Sequence, residues 1–333
     1  MKALVTGGGG FLGRAIVVQL LERGYQVSSC SRGRYPEIER LGVQVTQVEL
    51  TDAEAVRAAC RGKDVVFHVA AKAGVGGTYE EYARPNVRGT ENIIAACRAE
   101  GVSRLVYTSS PSVVFNGRDM EGVDESVPIL GRRCSPYSLT KAVAERIVLA
   151  ANGPGLRTIA VRPHLIWGPR DTHIVPQIIA RARAGKLRII GRGHNLVDTT
   201  YVDNAAEAHL MAAEALGKNP AAAGKAFFIG QGEPIMLWDM INRILAAADL
   251  PPVHRRVPYP LAWMTGAVQE LVYRWLKLDG EPWMTRFLAN TLATAHWFDI
   301  SAARRELGYE PRVSVAEGLA RLAAWLREFG DKR

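Results

Sequence analysis

The feature that most constrains this chain lies in its first 13 residues. A short apolar strand, Lys2–Val5, runs straight into Thr6-Gly7-Gly8-Gly9-Gly10-Phe11-Leu12-Gly13, and an amphipathic stretch, Phe11–Arg23, follows with Ile16, Leu20 and Leu21 on one face. Gly24 closes that stretch as a helix C-terminal glycine does. Strand, glycine turn and helix in this order make a seat for a dinucleotide. Glycines allow the tight turn, the close approach of backbone to pyrophosphate, and the packing of helix on strand. The helix start adds unpaired N–H groups and a partial positive charge. Gly7, Gly10 and Gly13 have the spacing G-x-x-G-x-x-G, and Gly7, Gly9, Gly10, Phe11, Leu12 and Gly13 form the expected cofactor-binding turn.

The rest of the first half keeps this rhythm. Strands are expected at Gln26–Ser29, Val43–Val48, Asp64–Val69, Arg104–Thr108 and Arg157–Val161. Between them helices are expected from Thr51-Asp52 to Cys60, over Tyr79–Glu100 with a kink near Pro85, and over Pro136–Ala151. Such alternation predicts an α/β fold: a Rossmann-type, doubly wound parallel sheet. The second half is less regular. It offers strands at Leu187–Ile190 and Ala226–Ile229, helices at Val202–Leu216 and Leu237–Ala248, a proline-rich irregular stretch Pro251–Pro260, and a last helix over Ser314–Phe329 with a capping-box start. The expected division is a cofactor-binding domain over residues 1–165 and a smaller α/β substrate lobe over 166–333, some of whose segments return to the main sheet.

Charge and cysteine content exclude several classes. The net charge is +9, but Lys and Arg are scattered, so nucleic acid is not an expected partner and anionic ligands are. Cys30, Cys60, Cys97 and Cys134 lie 30 or more residues apart, which fits neither a metal site nor a disulfide scaffold and suggests reduced thiols in a cytoplasmic protein. No metal is expected. The apolar start is broken by glycine too early for a secretory signal. The best candidate for a membrane span, the uncharged stretch Val257–Gln269, has 13 residues against the ~18–20 that cross a bilayer.

The end of the second strand bears on which dinucleotide is bound. An NAD site places an acid there, on the ribose 2′-hydroxyl. This chain has no acid between Gly24 and Pro36; it has Ser31, Arg32 and Arg34. Guanidinium matches a 2′-phosphate by charge and forked geometry, so NADP(H) is preferred, with NAD(H) the alternative.

Tyr137 and Lys141 stand at i and i+4 at the start of the helix after the fifth strand. That spacing puts both on one helix face. A phenol with a reference pKa of about 10 is a poor proton donor or acceptor at neutral pH, and a nearby ammonium is expected to lower it. Thr108-Ser109-Ser110 ends the fifth strand, where such a sheet opens onto ligands. Ser110 is the preferred hydroxyl for the substrate oxygen, with Ser109 and Ser112 as alternatives.

Taken together, Thr6–Gly13, His68-Val69-Ala70-Ala71, Asn86-Val87-Arg88-Gly89-Thr90, Tyr107–Ser110, Tyr137…Lys141, Arg162-Pro163…Trp167-Gly168-Pro169 and Tyr201-Val202-Asp203-Asn204 resemble the extended short-chain dehydrogenase/reductase family along its length. The resemblance implies that Tyr137 is the general acid–base, that Lys141 also holds the nicotinamide ribose, and that Ser110 orients the carbonyl. It implies further cofactor contacts at Glu49 and Leu50 beside the adenine, at Ala70, Ala71 and Lys72, and at Thr108, Pro163 and Leu165. Asn86 would be a cofactor residue or a structural one. Glu49 departs from the Asp more usual there.

Three activities compete: a ketone reductase or alcohol dehydrogenase, a nucleotide-sugar epimerase or dehydratase, and a non-catalytic NADP-binding subunit. Pro111-Ser112 stands where sugar-nucleotide dehydratases resemble one another in an Asp-Glu pair. Val197 stands where epimerases commonly carry a diphosphate-gripping arginine. Intact Tyr137 and Lys141 disfavour a non-catalytic role. The Val-Asp-Asn ending, the Lys72-Ala73-Gly74 run and the Trp-rich second half resemble the 3β-hydroxysteroid dehydrogenase/isomerase branch, and within it bacterial reductases of 2-alkyl-3-oxo acids. That implies an NADPH-dependent reduction of a small hydrophobic ketone, a β-keto acid or a steroid, to the alcohol, in a homodimer. Within Pro260–Leu278, Met264, Val268, Leu271, Val272 and Trp275 form a stripe at helical spacing. Such a stripe is expected to be core, with an acyl pocket wall or a peripheral membrane contact as alternatives.

Overall fold

The computed structural model describes residues 1–74, 76–129, 135–276, 278 and 282–329. Seven strands build the central sheet: β1 (Lys2–Thr6), β2 (Gln26–Ser31), β3 (Gln44–Gln47), β4 (Val65–His68), β5 (Arg104–Thr108), β6 (Arg157–Pro163) and β7 (Ala226–Ile229). Their order is β7-β6-β5-β4-β1-β2-β3, with every pair parallel. The chain winds outward from β1 to β3, then crosses to β4 and winds the other way. At this switch the strand ends diverge and leave a crevice.

Two layers of helix cover the sheet. On one face α1 (Phe11–Glu22) buries Ile16, Val17 and Leu20 against β1 and β2. On the other, α2 (Ala53–Cys60), α3 (Gly89–Ala99) and α4 (Pro136–Ala150) bury Val56, Ile93, Cys97 and Val148. Asp52 caps α2 by accepting from the Ala55 N–H at 3.0 Å. Ahead of α3, the expected kink is a change of helix type. An α-turn over Tyr79–Ala83 passes into a π-helical turn over Arg84–Arg88 and then into α3. Pro85 has no N–H to give and its ring crowds the preceding turn, so the hydrogen-bond ladder is re-registered there.

The second half lends two elements to the main sheet. β7 extends its edge beside β6, and α6 (Val202–Lys218) lies on the same face as α1. Between β6 and α6 comes α5 (Ile174–Arg183). Four short strands, Ile235–Met236, Leu196–Val197, His296–Phe298 and Met120–Val123, form a second sheet over the crevice. These are two to four residues long, too short for a period-two pattern to register. The expected strand Leu187–Ile190 narrows to Ile189–Ile190, and it pairs with Arg256–Val257 inside the proline-rich stretch expected to be irregular.

Two further helices, α7 (Tyr259–Leu276) and α8 (Arg286–Ala293), precede the C-terminal α9 (Val315–Phe329). The stripe on α7 corrects an expectation, for it is not core. Met264, Val268, Leu271, Val272 and Trp275 are 38–82% exposed. The helix packs instead through its small side, Ala262 and Gly266. A methyl group at Gly266 would stand 2.5 Å from the Thr285 carbonyl carbon, so the approach is backbone to backbone. At α9, Ser314 accepts from the Glu317 N–H at 3.2 Å, while the Glu317 carboxylate turns to Arg321, so the capping box is half made. Cys30, Cys60 and Cys97 are free and buried; Cys134 lies outside the described residues. Among the described residues no helix is long and apolar enough to cross a membrane.

Candidate active site

The glycine turn is shaped by three close approaches. Gly7 has φ +71°, and its N–H donates to the Cys30 carbonyl while its own carbonyl accepts from the Gly10 N–H. A methyl group at Gly13 would stand 2.1 Å from that Gly7 carbonyl oxygen. No side chain caps α1 at Gly10, so its first N–H groups face the crevice unpaired. Here is a cradle that any Cβ would fill and whose donors point at an anion. The residues therefore fit a dinucleotide pyrophosphate.

The crevice holds a cavity of about 1150 Å³ that runs from this turn to the second sheet. Its wall includes Gly7, Gly10, Phe11, Leu12, Gly13, Ser31, Arg32, Glu49, Leu50, Ala70, Ala71, Lys72, Thr108, Ser110, Tyr137, Lys141, Pro163 and Leu165. Three expected residues fall outside that wall. Gly9 is covered by the Tyr35 ring, which a methyl group there would strike. Arg34 is turned to Gln47, its Nε donating to Oε1 at 3.3 Å. Asn86 is buried, and its amide is consumed within the protein: Oδ1 accepts from the Lys72 N–H, and Nδ2 donates to the Lys72 carbonyl and to Thr140 Oγ1. Asn86 thus resolves as a clamp on the Lys72 backbone. The Arg32 guanidinium, by contrast, has no hydrogen-bond or ion-pair partner among the described residues and borders the cavity.

Helix α4 begins where Ser135 accepts from the Ser138 N–H and Pro136 occupies the first turn. This start sets Tyr137 and Lys141 one above the other on the cavity side. Of the three candidate serines, Ser110 is the one whose hydroxyl lies near enough to the Tyr137 hydroxyl to act on its proton affinity. Burial raises the Tyr137 pKa above its ordinary value, and the nearby Ser110 hydroxyl opposes that rise. The expected lowering by Lys141 is not what governs Tyr137. The Lys141 ammonium donates to the Thr108 carbonyl and lies 4.2 Å from the centre of the Tyr107 ring. Burial pulls its pKa down to about 7, with Glu145 acting the other way. A buried ammonium in need of its own stabilisation does less to stabilise a phenolate beside it.

Hidden ties position these groups. Glu145, one turn beyond Lys141, makes a buried two-point ion pair with Arg162 of β6, whose guanidinium also stacks on Phe228. On β4, His68 bridges Thr6 and Thr90 at 2.9 and 3.0 Å. Thr90 donates to the Asn86 carbonyl, so His68 must carry its proton on Nε2 and accept from Thr6 on Nδ1. Thr6 Oγ1 in turn accepts from the Val69 and Ala70 N–H groups, which fixes the start of the Ala70–Lys72 wall. Sequence patterning missed the far end of the cavity. There His164 and His296 are 2.7 Å apart, beside Phe115, Phe287, Phe298 and Trp283. Of these six, Phe115, His164 and Trp283 lie in no helix or strand, and His296 and Phe298 share a strand of three residues, too short for a period-two pattern to register.

The cavity is consistent with what the chain is similar to. Over 332 residues it is 50% identical to a 2-alkyl-3-oxoalkanoate reductase of Shewanella oneidensis, covering 97% of this chain and 86% of that one. It is 50% identical over 326 residues to a protein of the same name from Stenotrophomonas maltophilia, with 97% and 99% covered. A solved structure described as gox2253 superposes with a TM-score of 0.79 at 28% identity, covering 99% of this chain and 98% of that one. Residues 4–260 match the 3-beta hydroxysteroid dehydrogenase/isomerase family. With the glycine cradle, the Tyr-x-x-x-Lys helix and the parallel sheet already in hand, the match is decisive: the chain belongs to that family of oxidoreductases.

Proposed function

We propose that this protein reduces the ketone of a hydrophobic β-keto acid, of the 2-alkyl-3-oxoalkanoate class, to the corresponding alcohol with NADPH. The observation that carries the reading is that Ser110, Tyr137 and Lys141 converge on one wall of the large cavity. The names of the relatives supply the substrate class. The glycine turn would hold the pyrophosphate, Arg32 the 2′-phosphate, and Lys141 the nicotinamide ribose. When bound, the nicotinamide supplies a hydride to the carbonyl carbon.

Tyr137 gives its phenolic proton to the carbonyl oxygen, and Ser110 holds that oxygen in line. A phenol whose pKa is raised by burial stays protonated across the neutral range, which suits a general acid in the reducing direction. The aromatic end of the cavity, with Phe115, Phe287 and Phe298, excludes water and accommodates alkyl chains. Asp198 accepts from the Thr199, Gln231 and Gly232 N–H groups, so the carboxylate next to Val197 is spent on loop structure. This stretch has no arginine to grip a sugar diphosphate. A homodimer is part of this reading, and sedimentation equilibrium checks it.

The test mixes purified protein with a 2-alkyl-3-oxo acid and follows NADPH absorbance. Wild type should turn over. Tyr137→Phe should lose ~10²–10⁴-fold in kcat, the usual contribution of a positioned proton donor. Undiminished turnover in Tyr137→Phe would refute the mechanism.

A further inference from the structure

Helix α7 turns its largest apolar side chains outward. Leu261, Met264, Val268, Leu271, Trp275 and Leu276 are each more than half exposed, with Trp275 at 82%. At 100° per residue they span roughly 140° of the helix circumference. No charge interrupts this arc. The two charged residues of the helix lie off it, and of these Glu270 is paired with Arg286 at 2.7 Å. Monomeric proteins seldom leave so large a contiguous apolar face in water.

We propose that α7 is an in-plane docking helix for an anionic lipid surface. Three observations point to lipid. The arc is broader than the two-in-seven seam that a partner helix needs, and it suits immersion of one helix side in an acyl boundary. Cations frame it: Arg255 and Arg256 just precede the helix and Arg274 stands near its end, all exposed, while Glu270, already paired, is the one carboxylate among residues 251–276. The chain as a whole carries +9. Tryptophans gather here as well. Trp263 and Trp275 sit on the helix, and Trp283, 58% exposed, borders the cavity. Amphipathic rings of this kind settle at the boundary between water and acyl chains. Since Trp283 and Pro282 line the cavity, the docked face adjoins its aromatic end, and a molecule dissolved in the lipid layer would have a short path inward.

The experiment floats the full-length protein with vesicles of pure phosphatidylcholine and of phosphatidylcholine with phosphatidylglycerol, at low and high salt. Wild type should bind the anionic vesicles, more weakly at high salt, with a blue shift of tryptophan emission. The double variant L271Q/W275Q should partition about a hundredfold more weakly, from the loss of two large immersed side chains. Neither residue borders the cavity, so this variant should keep wild-type turnover of a short, water-soluble β-keto acid. That turnover assay also shows that the variant is folded, and it keeps a failure of docking apart from a failure of the ketone-reduction reading. Absence of wild-type binding to anionic vesicles would overturn the proposal. So would equal binding of wild type and variant. A wild-type dimer that L271Q/W275Q converts to monomer would also overturn it, because the arc would then be covered by a second copy.

Discussion

At the scale of single residues, the site depends on how burial sets proton affinity. Lys141 holds its proton only below a pKa of about 7, whereas a free lysine stays charged to about 10.5. Tyr137 is displaced upward and remains protonated. The two shifts predict a one-sided profile: kcat/KM for ketone reduction should be flat below pH 7 and fall as pH rises through about 7, when the ammonium is lost. Lys141→Arg keeps its charge throughout, so whatever activity it retains should lack that fall. A wild-type profile level to pH 9 would count against Lys141 as a charged participant. Arg32 carries the second residue-scale prediction. Its guanidinium is unpartnered, unlike that of Arg34, so Arg32→Ala should weaken NADPH by ~10–100-fold, the loss of a charge-assisted pair of bonds, and leave NADH nearly unchanged. Titration of both cofactors checks this, and equal losses would reject the phosphate assignment. Which arginine borders the cavity was not legible in the sequence, since Arg32 and Arg34 share a side of an extended segment. The distinction came from Gln47, which reaches across from β3 to bind the Arg34 side chain and the Arg32 carbonyl.

At the scale of elements, the glycine turn was legible because its requirement is steric and local. Gly13 lies inside α1, where alanine is normally favoured by about 1 kcal/mol. Here a methyl group would meet the Gly7 carbonyl oxygen at 2.1 Å. Backbone cannot rotate away as a side chain can, so Gly13→Ala should open the strand–helix turn. We expect a net loss of about 1–3 kcal/mol in stability and a larger proportional loss of cofactor affinity. Denaturant melts and cofactor titration measure the two effects; a more stable, fully binding variant would contradict the packing argument. The α7 stripe shows the opposite case. Its helical period was legible, but period alone cannot say which side of a helix meets the protein. Small residues decided that, because Ala262 and Gly266 let two backbones touch while Met264 and Trp275 could not.

At the scale of the whole molecule, segments remote in sequence hold the active strand in place. His209 of α6 reaches β5, where its Nε2 accepts from the Thr108 hydroxyl at 2.8 Å while Nδ1–H donates to the Ala205 carbonyl at 2.7 Å. Burial keeps that ring neutral by lowering its pKa to about 4, which leaves Nε2 as the acceptor. His68 is lowered further, to about 3. Unfolding frees such a ring to take a proton near pH 6.5, so each contributes stability that is present above pH 6.5 and is lost as pH falls toward its folded pKa. The slope is about 1.4 kcal/mol per pH unit for each ring. Denaturant melts between pH 6.5 and 5 should show wild type weakening on acidification, and His209→Gln should remove about one ring's worth of that slope, whatever its own stability. An unchanged slope would exclude His209 as a contributor.

The sequence by itself determined the alternation of strand and helix, the glycine cradle and the Tyr137–Lys141 face, because each rests on contacts between residues near in the chain. Only the tertiary structure decided that Asn86 clamps Lys72, that Ser110 is the serine beside Tyr137, that Lys141 is held by Thr108, and that α7 shows its apolar side to the outside. Those outcomes depend on distances between segments tens to hundreds of residues apart, and on burial, which no local pattern encodes.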